Sequence, residues 1–341
     1  MAFVIRVIAS ALLLASIAGG VTAQAPACDR RCLEGWIDRY LDALVKHDAK
    51  AVPLAATARY TENGQRLSVG DGLWRSVKAK GKYRLVVADT EAQQVAMIGT
   101  LEEQNADPEM GTPAVVALRL KIVGSEIAEV EQFIARNIDA AKRIEALGRP
   151  HPLFTQPIPE AERMSRADLI ATANKYFTGM QQNDGKGDYP FAPDCNRIEN
   201  GMQTTNRAAP PGEPRPNPAT AANYSAQWSC REQFESGLLH FVTRIRDRRF
   251  VAVDPERGLV FSFVFFDHAA GDTRTFTAAN GRQVTAGPAQ PWTWYIAELF
   301  KIEKGQLRQI EATLERVPYG MTSGWSSWED GMSDRPRDAT R

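Results

Sequence analysis

Cys32, Trp36, Tyr40 and Leu44 recur at every fourth position within residues 29–48, the apolar stripe of an amphipathic helix. Residues 166–182 repeat the stripe with Leu169, Ile170, Ala173 and Phe177. There Ser165 stands at the N-cap position, with Asp168 three residues on. After each helix the period drops to two. Residues 83–98 and 248–263 each read as a strand, a turn opened by an aspartate (Asp89, Asp254) and a second strand. Residues 120–136 and 300–316 read as hairpins turned at Gly124-Ser125 and Lys304-Gly305. A helix followed by a run of antiparallel strands predicts an α+β unit, with helices packed on one face of a curved antiparallel sheet.

The order of elements occurs twice. The segment from Tyr40, YLDALVKHDAK, aligns with YFTGMQQNDGK from Tyr176. The word Glu62-Asn63-Gly64 then aligns with Glu199-Asn200-Gly201, and Glu131 and Arg136 with Glu311 and Arg316. An offset that only grows along the chain indicates tandem duplication with insertions in the second copy. Two such insertions are RAAPPGEPRPNP (207–218) and TAANGRQVTAGPAQ (277–290), whose compositions predict surface loops without a strand ladder. The expected layout is a first domain over 28–145, a proline-rich linker over 146–164, a second domain over 165–325 and a disordered tail over 326–341.

Residues 28–137 carry the pattern AL-x-x-HD, then Y-x-ENG, then G-x-G-x-W, and resemble the SnoaL-like branch of the NTF2-like superfamily. The second copy matches more loosely, with Asn183-Asp184 in place of His47-Asp48. Together with the PYGMTSGW segment (318–325), the whole chain resembles an exported bacterial and fungal family of unknown function. The resemblance implies two tandem NTF2-like cones, each a bent sheet closed by helices around a small-molecule pocket. It does not imply one reaction, because members of the superfamily include isomerases, dehydratases, cyclases, lyases and binding modules.

Forty-one basic and 41 acidic residues cancel, so no global field draws nucleic acid or an anionic membrane. The basic run RIRDRR (244–249) carries an internal aspartate and reads as a solvated strand. At the N-terminus, Arg6, an apolar run and Val21-Thr22-Ala23 form a signal peptide over 1–23, cleaved after Ala23. The mature protein is then exported, periplasmic or extracellular, with no membrane attachment. Ala25-Pro26-Ala27 ahead of Cys28 lacks the leucine of a lipidation site. In an oxidising compartment Cys28, Cys32, Cys195 and Cys230 suggest two disulfides rather than zinc ligands, with three connectivities open and the two local clasps Cys28–Cys32 and Cys195–Cys230 favoured. The first would have to sit at a helix start, since side-chain geometry inside a regular helix is poor for this spacing.

Alternate residues of a strand share a face, so Tyr60 and Glu62 point together, as do Arg197 and Glu199. A buried Glu62 would be a usable general base, with Tyr60 or Tyr40 orienting the substrate and His47 as a proton shuttle. The bland reading makes Glu62 support for an Asn-Gly turn and His47 a helix-end cap. Arg197 beside Glu199 reads as an ion pair, which with the lost His-Asp pattern points to the second copy as the passive half. Trp74 and Trp294 are candidate lining for a flat apolar ligand, and Glu131, Glu199, Arg197, His268 and Glu311 are candidate polar contacts. Asp267 beside His268 on a strand faces the opposite way, so they make no dyad. Arg119 and Lys121 alternate with leucines and read as a solvated face.

No phosphate loop, nucleophile elbow or histidine metal spacing is present, so neither a cofactor nor a metal is expected. The expected function is cofactor-independent acid/base chemistry of isomerase, dehydratase or lyase type on a small, partly apolar substrate. The alternative is a non-catalytic small-molecule carrier. In either case the duplication would make an internal pseudo-dimer that can act as a monomer.

Overall fold

The protein is described by a computed structural model covering residues 27–340 apart from 108, 272–273 and 279–280, so the expected signal peptide lies outside the described residues. The first copy runs α1 (Arg30–Val45), β1 (Leu54–Glu62), β2 (Gln65–Arg66), α2 (Leu73–Ser76), β3 (Val77–Asp89), β4 (Gln94–Gln104), β5 (Gly111–Val123), β6 (Glu126–Ala135) and α3 (Ile138–Leu147). The second runs α4 (Arg166–Gln182), β7 (Phe191–Glu199), β8 (Met202–Gln203), α5 (Cys230–Glu235), β9 (Arg244–Asp254) and β10 (Leu259–His268). It continues with β11 (Arg274–Thr277), β12 (Gln283–Ala286), β13 (Trp292–Glu303), β14 (Gln306–Val317), α6 (Trp328–Gly331) and β15 (Arg337–Asp338). The first sheet has the order β2-β1-β6-β5-β4-β3, and the second repeats it as β8-β7-β14-β13-β10-β9 with β15 added at the far edge. In both, the first long strand is parallel to the last; the remaining pairings are antiparallel, except that the added β15 runs parallel to β9.

Local chemistry sets the helix starts and the turns. The Asp29 and Ser165 side chains accept from the Cys32 and Asp168 amides, capping α1 and α4. Cys28 lies just ahead of α1 and Cys32 in its first turn, with Cα atoms 5.2 Å apart in the Cys28–Cys32 disulfide. The Cys195–Cys230 disulfide fastens α5 to β7. The repeated Glu-Asn-Gly word is a fold device in both copies. Asn63 (φ 47°) and Gly64 (φ 75°), like Asn200 (φ 49°) and Gly201 (φ 74°), take the left-handed conformations of a tight hairpin turn. The Asn63 carboxamide then bonds the Ile134 amide and carbonyl at 2.7 and 3.2 Å, and that of Asn200 bonds those of Leu314 at 3.0 Å each. These bonds lock the turn onto the neighbouring parallel strand. A Cβ on Gly64 would lie 2.4 Å from the Thr322 carbonyl oxygen, and one on Gly201 2.6 Å from the Ile144 nitrogen.

Each copy has a core between its long helix and one face of its sheet. The opposite faces pack against each other in a third core that joins Tyr83, Ile98 and Phe133 to Phe261, Phe263 and Tyr295. Polar contacts between the copies occur in pairs. Arg30 at the start of α1 grips Asp254 of the second copy, and Arg166 at the start of α4 grips Asp89 of the first. Both aspartates open the β-turns identified in the sequence. Glu131 accepts two bonds from Arg249 (2.6 and 2.9 Å) and one from Tyr295 (3.1 Å), while Glu311 accepts from Tyr83 (2.5 Å). The two carboxylates therefore lie between the sheets rather than in a pocket or in solvent.

Several sequence expectations are corrected. The run RIRDRR is strand β9 and mostly buried: Arg246 and Asp247 are fully covered and Arg248 and Arg249 are 2% exposed. These charges are tolerated because they are paired or hydrogen-bonded, Arg246 with Asp267, Arg249 with Glu131, and Arg248 with Asn174 and Thr178. Arg119 is likewise buried against Gln94, Glu129 and Glu131, with Lys121 half-buried beside it. The stretch expected as a loop over 277–290 includes strand β12, paired with β11. The stretch expected as a disordered tail contains α6 and β15, and β15 pairs with β9 while Arg337 binds Asp247 and Asp330.

Candidate functional site

A row of residues crosses the second sheet at one level: Ser262 on β10, Glu298 on β13, Ala312 on β14 and Glu199 on β7. Ala312 is too small to fill the space between the two glutamates. Above it lies a cavity of about 100 Å³, lined by both glutamates, Tyr176 of α4, Arg197, Trp294 and apolar side chains including Phe266, Ile296 and Leu314. The helix supplies Tyr176 because that residue continues the Leu169–Ala173 stripe toward the sheet.

Glu298 is 2% exposed, and its Oε2 has no hydrogen-bond partner among the described atoms. Burial pushes its carboxyl up to about 8, with Glu199 adding to the rise, and Arg197 and the Tyr176 hydrogen bond opposing it. Burial also pushes the Tyr176 hydroxyl well above its ordinary range. Arg197 forms an ion pair with Glu199 and donates to Gln233 Oε1 at 3.0 Å. Burial works against its charge, yet the neighbouring Glu199 leaves it held well above its usual value. The cavity therefore offers a proton-bearing carboxyl, a hydroxyl and an ion-paired carboxylate inside an apolar wall.

The equivalent row in the first copy is Met97, Leu118, Gln132 and Glu62. Here Gln132 occupies the place of Ala312, and Leu118 that of Glu298. Gln132 donates to Tyr60 at 2.9 Å and accepts from Tyr40 at 3.0 Å, so side chain fills the position that is open in the second copy. Glu62 accepts from the Leu73 amide (2.7 Å), Tyr60 (3.3 Å), Gln132 (3.4 Å) and Arg136 (3.3 Å). It thus ties α2 to the sheet.

The structure brings Tyr40, Tyr60 and Glu62 together as the sequence suggests, inside the packed core of the first copy. Trp74 packs edge-on against Tyr40 in the same core, with ring centroids 5.4 Å apart. His47 is exposed, left-handed (φ 53°), and its Nδ1 is 2.6 Å from the Trp74 carbonyl oxygen, a contact at the end of α1. Asn183 (φ 42°) takes the same left-handed position after α4. Arg197, Glu199 and Trp294 all line the second cavity. His268 stands behind its aromatic wall, stacked on Trp292 at 3.5 Å and edge-on to Trp294 at 4.8 Å; burial lowers its pKa to about 4. Asp267 turns to the other face, to Arg246 and Thr293, so no dyad forms. Glu298, Tyr176 and Ala312 were not singled out from the sequence. The signal was present: WYIAELFKI places an acidic residue inside the apolar run from Ile296 to Phe300, where VALRLKI has Leu118.

Among the described residues no group of three or more His, Cys, Asp or Glu side chains could hold a metal ion, and no helix is long and apolar enough to cross a membrane.

Two solved structures show some similarity to the chain. One is AclR, a putative hydroxylase from Streptomyces galilaeus, at 14% identity over 44% of this chain and 91% of that one, with a TM-score of 0.27. The other is a de novo designed protein with a curved β-sheet, at 13% identity over 45% of this chain and 88% of that one, with a TM-score of 0.24. At these scores neither likeness bears on function. No curated protein matches the chain. The family described as "Domain of unknown function (DUF8021)" matches over residues 27–134 and again over 162–314, the two stretches that share one sheet order, and the chain belongs to that family.

Proposed function

We propose that the second copy holds a small, partly apolar carbonyl compound and catalyses cofactor-independent proton transfer on it, the step shared by isomerases, dehydratases and lyases. The observation that carries this reading is the buried Glu298 carboxyl with an unpartnered oxygen in an apolar cavity. Two carboxyl groups in unlike surroundings divide the work. Glu298 donates its proton to the substrate carbonyl oxygen, and Glu199, held by Arg197, accepts the proton from the adjacent carbon. Tyr176 orients the carbonyl. The product of the step is the enol, and reversal returns both protons. The same argument relocates catalysis from Glu62, whose oxygens are engaged by α2 and Arg136, to the second copy.

The surrounding reading is that each copy is an NTF2-like cone and that the two form an internal pseudo-dimer, supported by the paired Arg30–Asp254 and Arg166–Asp89 contacts. Export is supported by the two disulfides, which suit an oxidising compartment.

Deuterium exchange at the carbons flanking the carbonyl of cyclohexanone, followed by NMR, tests the chemistry. The protein is expected to accelerate exchange, and Glu298→Gln and Glu199→Gln each to reduce the acceleration by about 100-fold or more. Because the acid form of Glu298 acts first, the rate is expected to fall as pH rises through about 8. Unchanged exchange in both variants would refute the assignment. Retained binding with no acceleration in the parent protein would instead identify a carrier.

A further inference from the structure

We propose that the cleft where the two copies meet the C-terminal segment is a binding site for a small oxyanion carrying phosphate or carboxylate groups. It is separate from the Glu298 cavity and does not depend on the chemistry proposed there. Its volume is about 480 Å³, within the roughly 300–1,000 Å³ usual for small-molecule sites. Five cations line it: Arg59 from β1, Arg119 and Lys121 from β5, Arg249 from β9, and Arg337 from β15.

Three of these cations are already matched. Arg119 binds Glu129 at 2.7 Å and Glu131 at 3.2 Å, Arg249 binds Glu131, and Arg337 binds Asp247 and Asp330. Of the two carboxylates lining the cleft, Glu129 is taken by Arg119 and Asp338 by Arg166. Among the described residues neither Arg59 nor Lys121 has a carboxylate at ion-pair distance. Within the same residues, Arg59 donates to the backbone carbonyl of Gly324. Among the described residues, two positive charges thus remain unmatched at this polar cleft between sheets.

The cleft is also pre-shaped. The Trp325 ring lies 4.1 Å from the Arg59 guanidinium carbon and 4.4 Å from that of Arg119, and its indole N–H is fixed by Thr61 at 2.8 Å. Stacking on an aromatic face holds a guanidinium's orientation while leaving its N–H edges free to meet oxyanions in a bidentate fashion. A residue of the C-terminal segment thus positions cations of the first copy.

Calorimetric titration of the full chain with inorganic pyrophosphate and, separately, citrate, at constant ionic strength, tests the assignment and distinguishes phosphate from carboxylate chemistry. At least one is expected to bind with one-to-one stoichiometry, and Arg59→Gln and Lys121→Gln each to weaken it by about tenfold or more. Both side chains are partly exposed, so the variants are expected to melt as the parent does. Glu298→Gln is expected to leave the binding unchanged. Absence of binding by both anions would overturn the proposal, as would equal affinity in the parent and in folded Arg59→Gln and Lys121→Gln variants.

Discussion

Replacing Glu131 with alanine is expected to lower the stability of the protein by about 3–5 kcal/mol, read as a fall in the urea midpoint. Glu131 is 1% exposed and is held by Arg249, 2% exposed, through two bonds of 2.6 and 2.9 Å from the other copy. Arg119 and Tyr295 complete its shell. Burial opposes the Arg249 charge, and Glu131 is the first of the groups that hold it. Removing the carboxylate leaves that guanidinium between two sheets with Asp247 at 3.4 Å as its remaining carboxylate contact. An uncompensated buried charge is what makes a broken pair costly, whereas exchanging both partners for apolar groups is often tolerated. Glu131→Leu with Arg249→Leu is therefore expected to recover much of the loss. A loss below about 1 kcal/mol in Glu131→Ala, the range of an exposed pair, would mean that the two sheets do not exclude water there.

Glu298→Gln is expected to change how stability depends on pH. In the unfolded chain the carboxyl releases its proton near the ordinary 4.5, whereas in the fold it keeps it to about 8. Between those values the folded state binds more protons than the unfolded one. The Glu298 contribution is thus fully present below about 4.5, declines as pH rises and is lost above about 8. The decline approaches ~1.4 kcal/mol per pH unit inside the window. Glutamine does not ionise, so the variant is expected to gain a few kcal/mol on the parent between acid and alkaline conditions. Burial also pushes Glu311 up to about 7, which gives a decline of the same sign in both proteins; the difference between the two curves isolates Glu298. Parallel curves would show that Glu298 is solvated.

The duplication and the order of elements were legible because they are written in periodicity and turn chemistry. The stripe beginning at Leu169, the Ser165 cap and the Asp89 and Asp254 turns each specify local structure that tertiary contacts then reinforce. The charged strand over 244–249 was misread for the opposite reason. Its partners lie on other elements, Asp267 on the neighbouring strand β10 and Glu131 on the other copy's sheet, so nothing within the run itself announces them. The C-terminal segment was misread likewise, because β15 is ordered by β9 rather than by its own composition.

The candidate site was half legible. Arg197, Glu199 and Trp294 are legible as candidates and line the cavity, whereas the resemblance is strongest in the first copy, where Gln132 fills the equivalent position. What separates the copies is a pair of exchanges at matching positions, Gln132 against Ala312 and Leu118 against Glu298. Their meaning depends on sheet register, because Ala312 creates space only by standing between two glutamates.

Making the second copy's row match the first is the most direct test that this cavity is the ligand site. Ala312→Gln with Glu298→Leu would place the glutamine and leucine of the first copy in the second. The measurement is a methyl NMR titration of the parent and the double variant with p-cresol, a small apolar probe with one hydroxyl. Saturable shifts confined to methyls lining the cavity, including Ile296, Leu314 and Met180, are expected in the parent and absent from a folded double variant. Shifts scattered over the first copy, or undiminished in the double variant, would contradict the account.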